Sequence, residues 1–162
     1  MSQRRFETPE QAVAYMKTVA VAGSGFTRWL DVEPLRVWEG ESELTLSIRP
    51  EHTQHHGFAH GAIVGPPLPS GPMQFSALAM IRAVDVWPRR CAWAAASVAG
   101  DVVTGGYTIN FLAPATGTHL RAKGRVVRAG KRQVIVTAEV WSEAEGTEPK
   151  LVALAQATII PV

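Results

Sequence analysis

Apolar and polar residues follow two different periods along the chain, and the first of them is helical. Thr8 offers an N-cap hydroxyl, Pro9 suits the first helical position, and Gln11 is placed to complete a capping box. The pattern therefore predicts a helix from about Pro9 to Val21 that stops near the glycines at 23–25.

From Arg28 onward the apolar residues fall at every second position, which is the period of a β-strand. A turn at 40–42 divides this stretch into two halves. The alternation predicts a hairpin with one buried face. The apolar residues assigned to that face are Leu35, Val37, Leu44, Leu46 and Ile48.

Four more strands are predicted in the second half of the chain, where the same alternation returns between turn-forming residues. Glycine, proline and polar clusters mark the turns, at 129–131 and 143–147. The strands span about 102–112, 119–128, 133–142 and 151–160.

Helical segments are expected between the hairpin and the last four strands. One should run from about Pro72 to Arg82, and another from Pro88 to Ala99 with Gly100 as its C-terminal cap. The order of helix, hairpin, helical middle and four-strand meander predicts a single α+β domain over residues 1–162. In this arrangement a curved antiparallel sheet of five or six strands wraps around a central helix that prolines interrupt.

Length and composition exclude several classes of protein. With 162 residues and 46% apolar content, the chain can bury one sizeable core but not two. No uncharged apolar stretch is long enough to span a membrane, and the net charge of +2 contains no block of like charges. Neither a membrane nor a nucleic acid is therefore expected as a partner. Cys91 is the only cysteine, which excludes an internal disulfide and favours a cytoplasmic protein.

Four motifs carry a resemblance to a known family. They are HTQHHGFAHGA at 52–62, CAWAAA at 91–96, YTINFLAPA at 107–115 and GRVVR at 124–128. In this order they resemble the hotdog-fold thioesterases related to the phenylacetate-degradation enzyme PaaI. The likeness covers about residues 25–65 and 91–162.

The resemblance implies an activity and a set of residue roles. Members of the family hydrolyse acyl-CoA thioesters at sites between two subunits, which implies an acyl-CoA substrate, a homodimer or homotetramer, and no cofactor beyond the coenzyme A of the substrate. Gln54 matches an amide that orients the thioester carbonyl or the attacking water. His60, Gly61 and Ala62 match a His-Gly-Gly motif whose backbone N–H groups stabilise the oxyanion at a helix start.

The chain departs from the family at the catalytic carboxylate. The resembled enzymes carry an Asp or Glu on the central helix, a few turns after the His-Gly-Gly motif, and the corresponding positions here are prolines. No acidic residue lies between Glu51 and Asp85. Asp85 is therefore the candidate general base, unless it only favours the start of a helix through the helix dipole.

The segment at about 66–90 is atypical, and its first part, 66–72, has four prolines where the family's helix would continue. It is also longer than the family needs. An insertion that adds a helix and a corrupted reading frame restored just before Cys91 are both compatible with the sequence. Two functions accordingly stay open, an acyl-CoA thioesterase and a catalytically impaired or non-catalytic acyl-CoA-binding protein.

Five further residues are candidates for contacts with the substrate. Asn110 and Phe111 lie near the end of a predicted strand, where the asparagine either contacts the ligand or satisfies local backbone groups. Arg128, Lys131 and Arg132 surround a hairpin turn. They either bind the phosphates of coenzyme A through charge-assisted hydrogen bonds or keep the turn soluble.

Four of the five histidines lie close together in the sequence, which raises the question of a metal site. They are His52, His55, His56 and His60. Their spacing matches no standard zinc site, and no thiol or convincing carboxylate lies nearby, so no metal is expected. The ring of His60 should instead turn into the junction between loop and helix, and the others should be loop residues.

Overall fold

The computed structural model describes residues 6–21, 28–60, 94–95, 97–99 and 102–162, with the side chains of 19–21 and 103 excepted. Its strands are β1 (Glu33–Trp38), β2 (Glu41–Ser47), β3 (Val102–Phe111), β4 (His119–Ala129), β5 (Val134–Glu143) and β6 (Lys150–Pro161). They form one antiparallel sheet in the order β1-β2-β4-β5-β6-β3. The predicted α+β architecture with an antiparallel sheet of five or six strands is confirmed, and the sheet has six.

The N-terminal helix changes its hydrogen bonding halfway along. α1 spans Pro9–Tyr15, and a π-helical stretch continues it over Met16–Val21. The Thr8 hydroxyl accepts a hydrogen bond from the Gln11 N–H at 3.3 Å, as predicted for an N-cap. The predicted capping box is wrong, because the Gln11 side chain accepts from the Glu7 N–H at 3.0 Å instead. None of the helices in the described ranges is long and apolar enough to cross a membrane.

The predicted β1–β2 hairpin is confirmed, but one of its core residues points the other way. Leu35, which we expected to be buried, is 42% exposed. The register between the two strands shifts between Pro34 and Arg36, and this irregularity turns Leu35 outward while Pro34 is buried in its place. The residues buried as predicted are Val37, Leu44 and Leu46.

The last four strands do not form the predicted meander. β4, β5 and β6 are neighbours, but β3 pairs with the far side of β6, from Val102 opposite Pro161 to Phe111 opposite Ala153. β4 pairs instead with β2. The connection at 112–118 is too long for a tight hairpin. The N–H groups of Leu112 and Ala113 donate to the Val152 carbonyl of β6, and the chain then crosses the end of the sheet to β4.

The core lies on the inner face of the sheet, where β5 and β6 present small side chains. Described residues of the predicted 88–99 helix, at 94–95 and 97–99, are helical. Ala94 and Ala95 are fully buried in the same core cluster as the alanines of the sheet. Those alanines are Ala138, Ala153, Ala155 and Ala157. The remainder of that helix, the predicted helix at 72–82 and the stop at 23–25 lie outside the described residues.

A side chain of the central helix holds the β1–β2 turn. The Ser97 hydroxyl accepts a hydrogen bond from the Gly40 N–H at 2.7 Å and donates to the Ala94 carbonyl at 2.8 Å. Gly40 has a φ of 84°, a conformation that glycine adopts without strain. The helix and the β1–β2 hairpin are thus joined at one end of the sheet.

The β3–β4 connection contains a glycine with no room for a side chain. The Gly117 N–H donates to the buried Ser142 hydroxyl at 2.8 Å, and a Cβ atom at Gly117 would lie 2.3 Å from the Glu143 carbonyl oxygen. The neighbouring Thr118 donates its N–H to that same carbonyl at 2.8 Å and accepts from the Ile48 N–H at 2.7 Å. These bonds fix the connection against the end of β2.

Candidate functional site

The loop that follows β2, residues 53–60, carries Gln54, and we call it the Gln54 loop. The Gln54 N–H donates to the Phe58 carbonyl at 3.0 Å, and the Gln54 carbonyl accepts from the Gly57 N–H at 2.9 Å. Gly57 has a φ of 80°, which permits this tight turn. Gln54 is half-buried, and no hydrogen bond to another described residue holds its side-chain amide. That amide is therefore available for a ligand oxygen or a water molecule.

Backbone hydrogen bonds hold the Gln54 loop on two sides. The His60 N–H donates to the His52 carbonyl at 2.8 Å, which closes the base of the loop. The Ala59 N–H donates to the Ala115 carbonyl at 2.9 Å, which joins the loop to the segment after β3. Gln54 and His60 thus lie at the end of the sheet where β3 finishes.

β3 ends near this loop but turns its two candidate residues to opposite faces. Phe111 pairs with the buried Ala153 and so lies on the inner face, where it is 52% exposed. Asn110 pairs with Leu154 on the outer face and lines a shallow groove of about 640 Å³ there. The two residues therefore cannot line one pocket within a single chain.

The three basic candidates lie at the other end of the sheet. Arg128 is near the end of β4, Lys131 and Arg132 follow in the turn to β5, and all three are exposed. Through the strand register Arg128 is level with Gly106 of β3, five residues before Phe111 and so roughly 17 Å away along the strand. A single chain does not bring this basic turn together with the Gln54 loop.

The other predicted catalytic residues, Gly61, Ala62 and Asp85, lie outside the described residues. Their roles stay predictions. Of the clustered histidines, His55 and His56 are exposed with their ring centroids 3.9 Å apart. In the described ranges no three His, Cys, Asp or Glu side chains are grouped so that they could hold a metal ion.

A buried cluster beside the loop was missed by the sequence reasoning. His52, predicted as an ordinary loop residue, is fully buried. Its Nδ1 accepts a hydrogen bond from the Arg49 N–H at 3.2 Å, and its ring meets that of Trp29 edge-on at 5.1 Å. The sequence signal is local: Arg49 stands three residues before His52 with Pro50 between them, the spacing of a helical cap.

The pKa of His52 is lowered, mainly because burial disfavours the charged ring. The nearby Arg49 guanidinium acts in the same direction, whereas the Glu51 carboxylate and a hydrogen bond to the Ser47 backbone act in the opposite one. The imidazole is therefore neutral near pH 7.

β3 forms one edge of the sheet, next to the candidate residues. In the part of the chain that the structure describes, it is hydrogen-bonded only to β6. From Gly106 to Phe111 it has no charged residue, no proline and no register shift, and Tyr107 and Phe111 are 37% and 52% exposed. An edge of this kind readily pairs with another strand.

Comparison with known proteins identifies thioesterases. Residues 89–148 match the thioesterase superfamily, and no curated protein matches the chain. A thioesterase family protein from Silicibacter pomeroyi is 25% identical, with a TM-score of 0.69 over 93% of this chain and 96% of that one. The PaaI protein of the E. coli phenylacetic acid degradation operon is 18% identical, with a TM-score of 0.70 over 96% of each chain. A Shewanella oneidensis protein related to the thioesterase superfamily is 18% identical, with a TM-score of 0.67 over 94% of this chain and 97% of that one.

The structural likenesses at 18% identity establish the fold, and the resemblance to PaaI-like hotdog proteins is confirmed. The superfamily match and the Silicibacter structure support thioesterase activity in general. Hotdog-fold thioesterases, which this chain resembles, are generally oligomeric and act on small-molecule thioesters.

Proposed function

We propose that this chain, whose fold is that of the PaaI-like hotdog thioesterases, hydrolyses an acyl-CoA thioester to a carboxylic acid and free coenzyme A. Water attacks the thioester carbonyl carbon, the C–S bond breaks, and the departing sulfur takes a proton. The observation that carries this proposal is the Gln54 amide, which has no hydrogen-bond partner among the described residues in a loop fixed at both sides.

Three residues are assigned to the carbonyl oxygen. The Gln54 amide donates to that oxygen or holds the attacking water, and the Gly61 and Ala62 N–H groups stabilise the developing oxyanion. An oxyanion donor of this kind contributes roughly 10²–10³ in rate. The assignment of Gly61 and Ala62 comes from the sequence, which places them directly after the His60 residue that anchors the loop.

Asp85 is proposed as the general base that activates the water. Such a base contributes about 10²–10⁴ in rate. Glu51, the carboxylate nearest to the loop in the described sequence, is already ion-paired with the Arg49 guanidinium at 3.1 Å. A thioesterase without the help of Asp85 would therefore be slow.

A second copy of the chain is proposed to complete the site. Two identical strands related by a two-fold axis run antiparallel, so pairing of β3 with β3 of a partner would place opposite ends of the two sheets side by side. The basic turn of the partner would then approach the Gln54 loop of the first chain. The separation of these features within one chain supports such an arrangement, in which the partner's Arg128, Lys131 and Arg132 bind the phosphates of coenzyme A.

A non-catalytic acyl-CoA-binding protein is the second candidate. The observation that favours it is the absence of any acidic residue from 52 to 84, which leaves the family's usual carboxylate position unfilled. Binding through the basic turn and the Gln54 loop would not need that carboxylate.

Release of free thiol from short-chain, aromatic and long-chain acyl-CoAs tests the proposal. We expect turnover by the wild type, a kcat about 100-fold lower in Gln54→Ala, and a comparable or larger loss in Asp85→Asn. The matched control is Gln156→Ala, which changes an exposed glutamine on β6 and should keep wild-type activity. An inert wild type that still binds acyl-CoA would establish the second candidate, and full activity in both site variants would refute the residue assignment.

Mixed dimers test whether the basic turn acts across the interface. One chain carries Gln54→Ala, and the other carries Arg128→Ser, Lys131→Ser and Arg132→Ser together. If the turn serves the partner, the mixed dimer holds one intact site and one doubly damaged site, so it regains about half of the wild-type activity at the wild-type KM. If the turn serves its own chain, no intact site forms and neither parameter recovers.

A further inference from the structure

We propose that His52 is a positioning residue for the thioesterase reaction: a neutral, buried imidazole that fixes the base of the Gln54 loop without touching the substrate. This inference rests on the proposed function. It is carried by the burial of His52, by the contacts of both ring nitrogens and by the hydrogen bond that its carbonyl accepts.

Burial is the first of these observations. Among the described residues, the buried polar side chains are Ser42, His52 and Ser142, and His52 is the only one of them outside a β-strand, at the end of the short 3-10 helix Pro50–His52. A polar side chain without solvent contact is unfavourable unless its polar atoms are satisfied. Complete burial of the imidazole directly before the Gln54 loop therefore indicates that its contacts hold the base of that loop in place.

Both ring nitrogens of His52 face Arg49. Nδ1 accepts a hydrogen bond from the Arg49 N–H at 3.2 Å, and Nε2 lies 3.2 Å from a guanidinium nitrogen of the same residue. Because Nδ1 accepts, the single proton of the neutral ring lies on Nε2. A second proton, on Nδ1, would meet the Arg49 N–H donor and add a positive charge beside the guanidinium. The geometry thus suits the neutral ring, in agreement with its lowered pKa.

The cluster links the loop to the segment that precedes β1. The guanidinium of Arg49 donates to the Trp29 carbonyl, lies 5.7 Å above the Trp29 ring, and pairs with Glu51 at 3.1 Å. The Trp29 ring meets His52 edge-on at an interplanar angle of 71°. His52 is therefore held from two parts of the chain that are distant in sequence.

This cluster fixes the position of the residues in the Gln54 loop. The His52 carbonyl accepts the His60 N–H at 2.8 Å, and the next residue pair, Thr53 and Ala59, forms a β-bridge. A shift of the imidazole would move both ends of the Gln54 loop. A displacement of about 1 Å at a reacting centre can cost 10²-fold in rate, so His52 should act on kcat rather than on binding.

The test compares two substitutions of His52 with a control. His52→Leu removes the acceptor and should lower kcat about 10- to 100-fold, with KM changed less than about threefold. His52→Asn keeps an acceptor for the Arg49 N–H and should recover most of kcat. His119→Leu replaces an exposed histidine at the start of β4 and should match the wild type. Wild-type kcat in His52→Leu, or a loss confined to KM, would overturn the proposal.

The pH profile gives a second readout that does not depend on the leucine variant being folded. Wild-type kcat should fall at acid pH as the His52 ring takes up a proton beside Arg49 and Glu51. His52→Asn should lack this part of the fall, whereas any loss from protonation of the proposed base Asp85 stays in both proteins. Identical profiles for the two proteins would overturn the proposal.

Amide hydrogen exchange separates this proposal from the proposed function. At pH 7.5, His52→Leu should differ from the wild type in the protection of residues 49–60. At acid pH, His52→Asn should differ from the wild type in the same segment. In both comparisons the protection of β5 and β6 should stay unchanged. If the wild type hydrolyses no acyl-CoA, the proposed function fails, and the exchange experiment still decides whether His52 positions the loop. Unchanged protection in that segment would then reject its role.

Discussion

The two edges of the sheet differ in how they are covered. β1 is short, contains Pro34 and a register shift, carries Glu33 and Arg36, and has α1 packed against it. These are features that prevent a strand from pairing with another chain. β3 is longer and uncharged, and in the described ranges it has no neighbour beyond β6.

This difference indicates which edge of the sheet can pair with a strand of a second chain. The charges of β1 are engaged within the same chain, since Lys17 pairs with Glu33 at 3.4 Å and Arg36 pairs with Glu41 at 3.2 Å. The β3 edge presents Tyr107 and Phe111 partly exposed and carries the candidate residues Asn110 and Phe111. Assembly and activity should therefore depend on β3 and be indifferent to β1.

The largest expected effect comes from a charge placed on the β3 edge. Thr108→Lys would bring two like charges close together in a β3-paired dimer, so we expect its dissociation constant to rise about 100-fold and kcat/KM to fall with it. Leu35→Lys, at an exposed position of β1, should change neither quantity. Sedimentation and thiol-release assays on both variants check this, and dissociation by the β1 variant alone would reverse the comparison.

A smaller effect tests which side of β1 faces the core. Val37 is fully buried, so Val37→Ala should lower the free energy of unfolding by about 2 kcal/mol. Leu35→Ala, two residues away on the exposed side, should cost about 0.5 kcal/mol or less. Urea unfolding measures both, and equal losses would place Leu35 in the core after all.

As the pH falls, residues 29–60, which include β1 and β2, should lose protection from hydrogen exchange before β3 does. The folded pKa of His52 lies below its ordinary value of 6.5, so below that value the unfolded chain binds a proton that the folded chain does not. The stability that His52 contributes is present above pH 6.5 and is lost as the pH falls through the folded pKa. Hydrogen exchange at pH 7.5 and 5.5 should show protection lost at 29–60 first. Loss that begins in β3 would contradict this.

The smallest effect is expected in the middle of the sheet, between the two edges. Arg121 pairs with Glu43 at 3.1 Å and with Glu143 at 3.0 Å on the outer face, but its side chain is 38% exposed. Solvent screens such pairs, so Arg121→Met should cost about 1 kcal/mol or less and leave assembly unchanged. Thermal unfolding at low and high salt measures the difference, and a loss of dimer would show that the outer face takes part in assembly.

The sequence was informative about local structure and about family. Alternating residues located all six strands to within a few positions, and the Thr8 cap followed from its neighbours. The position of β3 beside β6 could not be predicted, because the pairing partner of a strand is a non-local choice. Leu35 was misplaced because one register shift reverses the face of a side chain.

The candidate site was harder to predict than the fold. Gln54 and His60 were selected through their motif, and their roles stay predictions. The opposite faces of Asn110 and Phe111 depend on the register between β3 and β6. The burial of His52 depends on Trp29, which lies more than twenty positions away in the sequence and contacts it only after folding. The local spacing of Arg49 and His52 indicates a helical cap but not the contact with Trp29.

Gly117 limits how this protein can diverge. Because a Cβ there would overlap the Glu143 carbonyl oxygen, every substitution would have to move a backbone that also anchors the end of β2. Random mutagenesis with selection for solubility should therefore return glycine alone at this position while its neighbours vary. Gly117 is therefore a fixed position in the β3–β4 connection. Insertions and deletions in this connection are expected to be tolerated at 112–116, before Gly117, and not between Gly117 and β4.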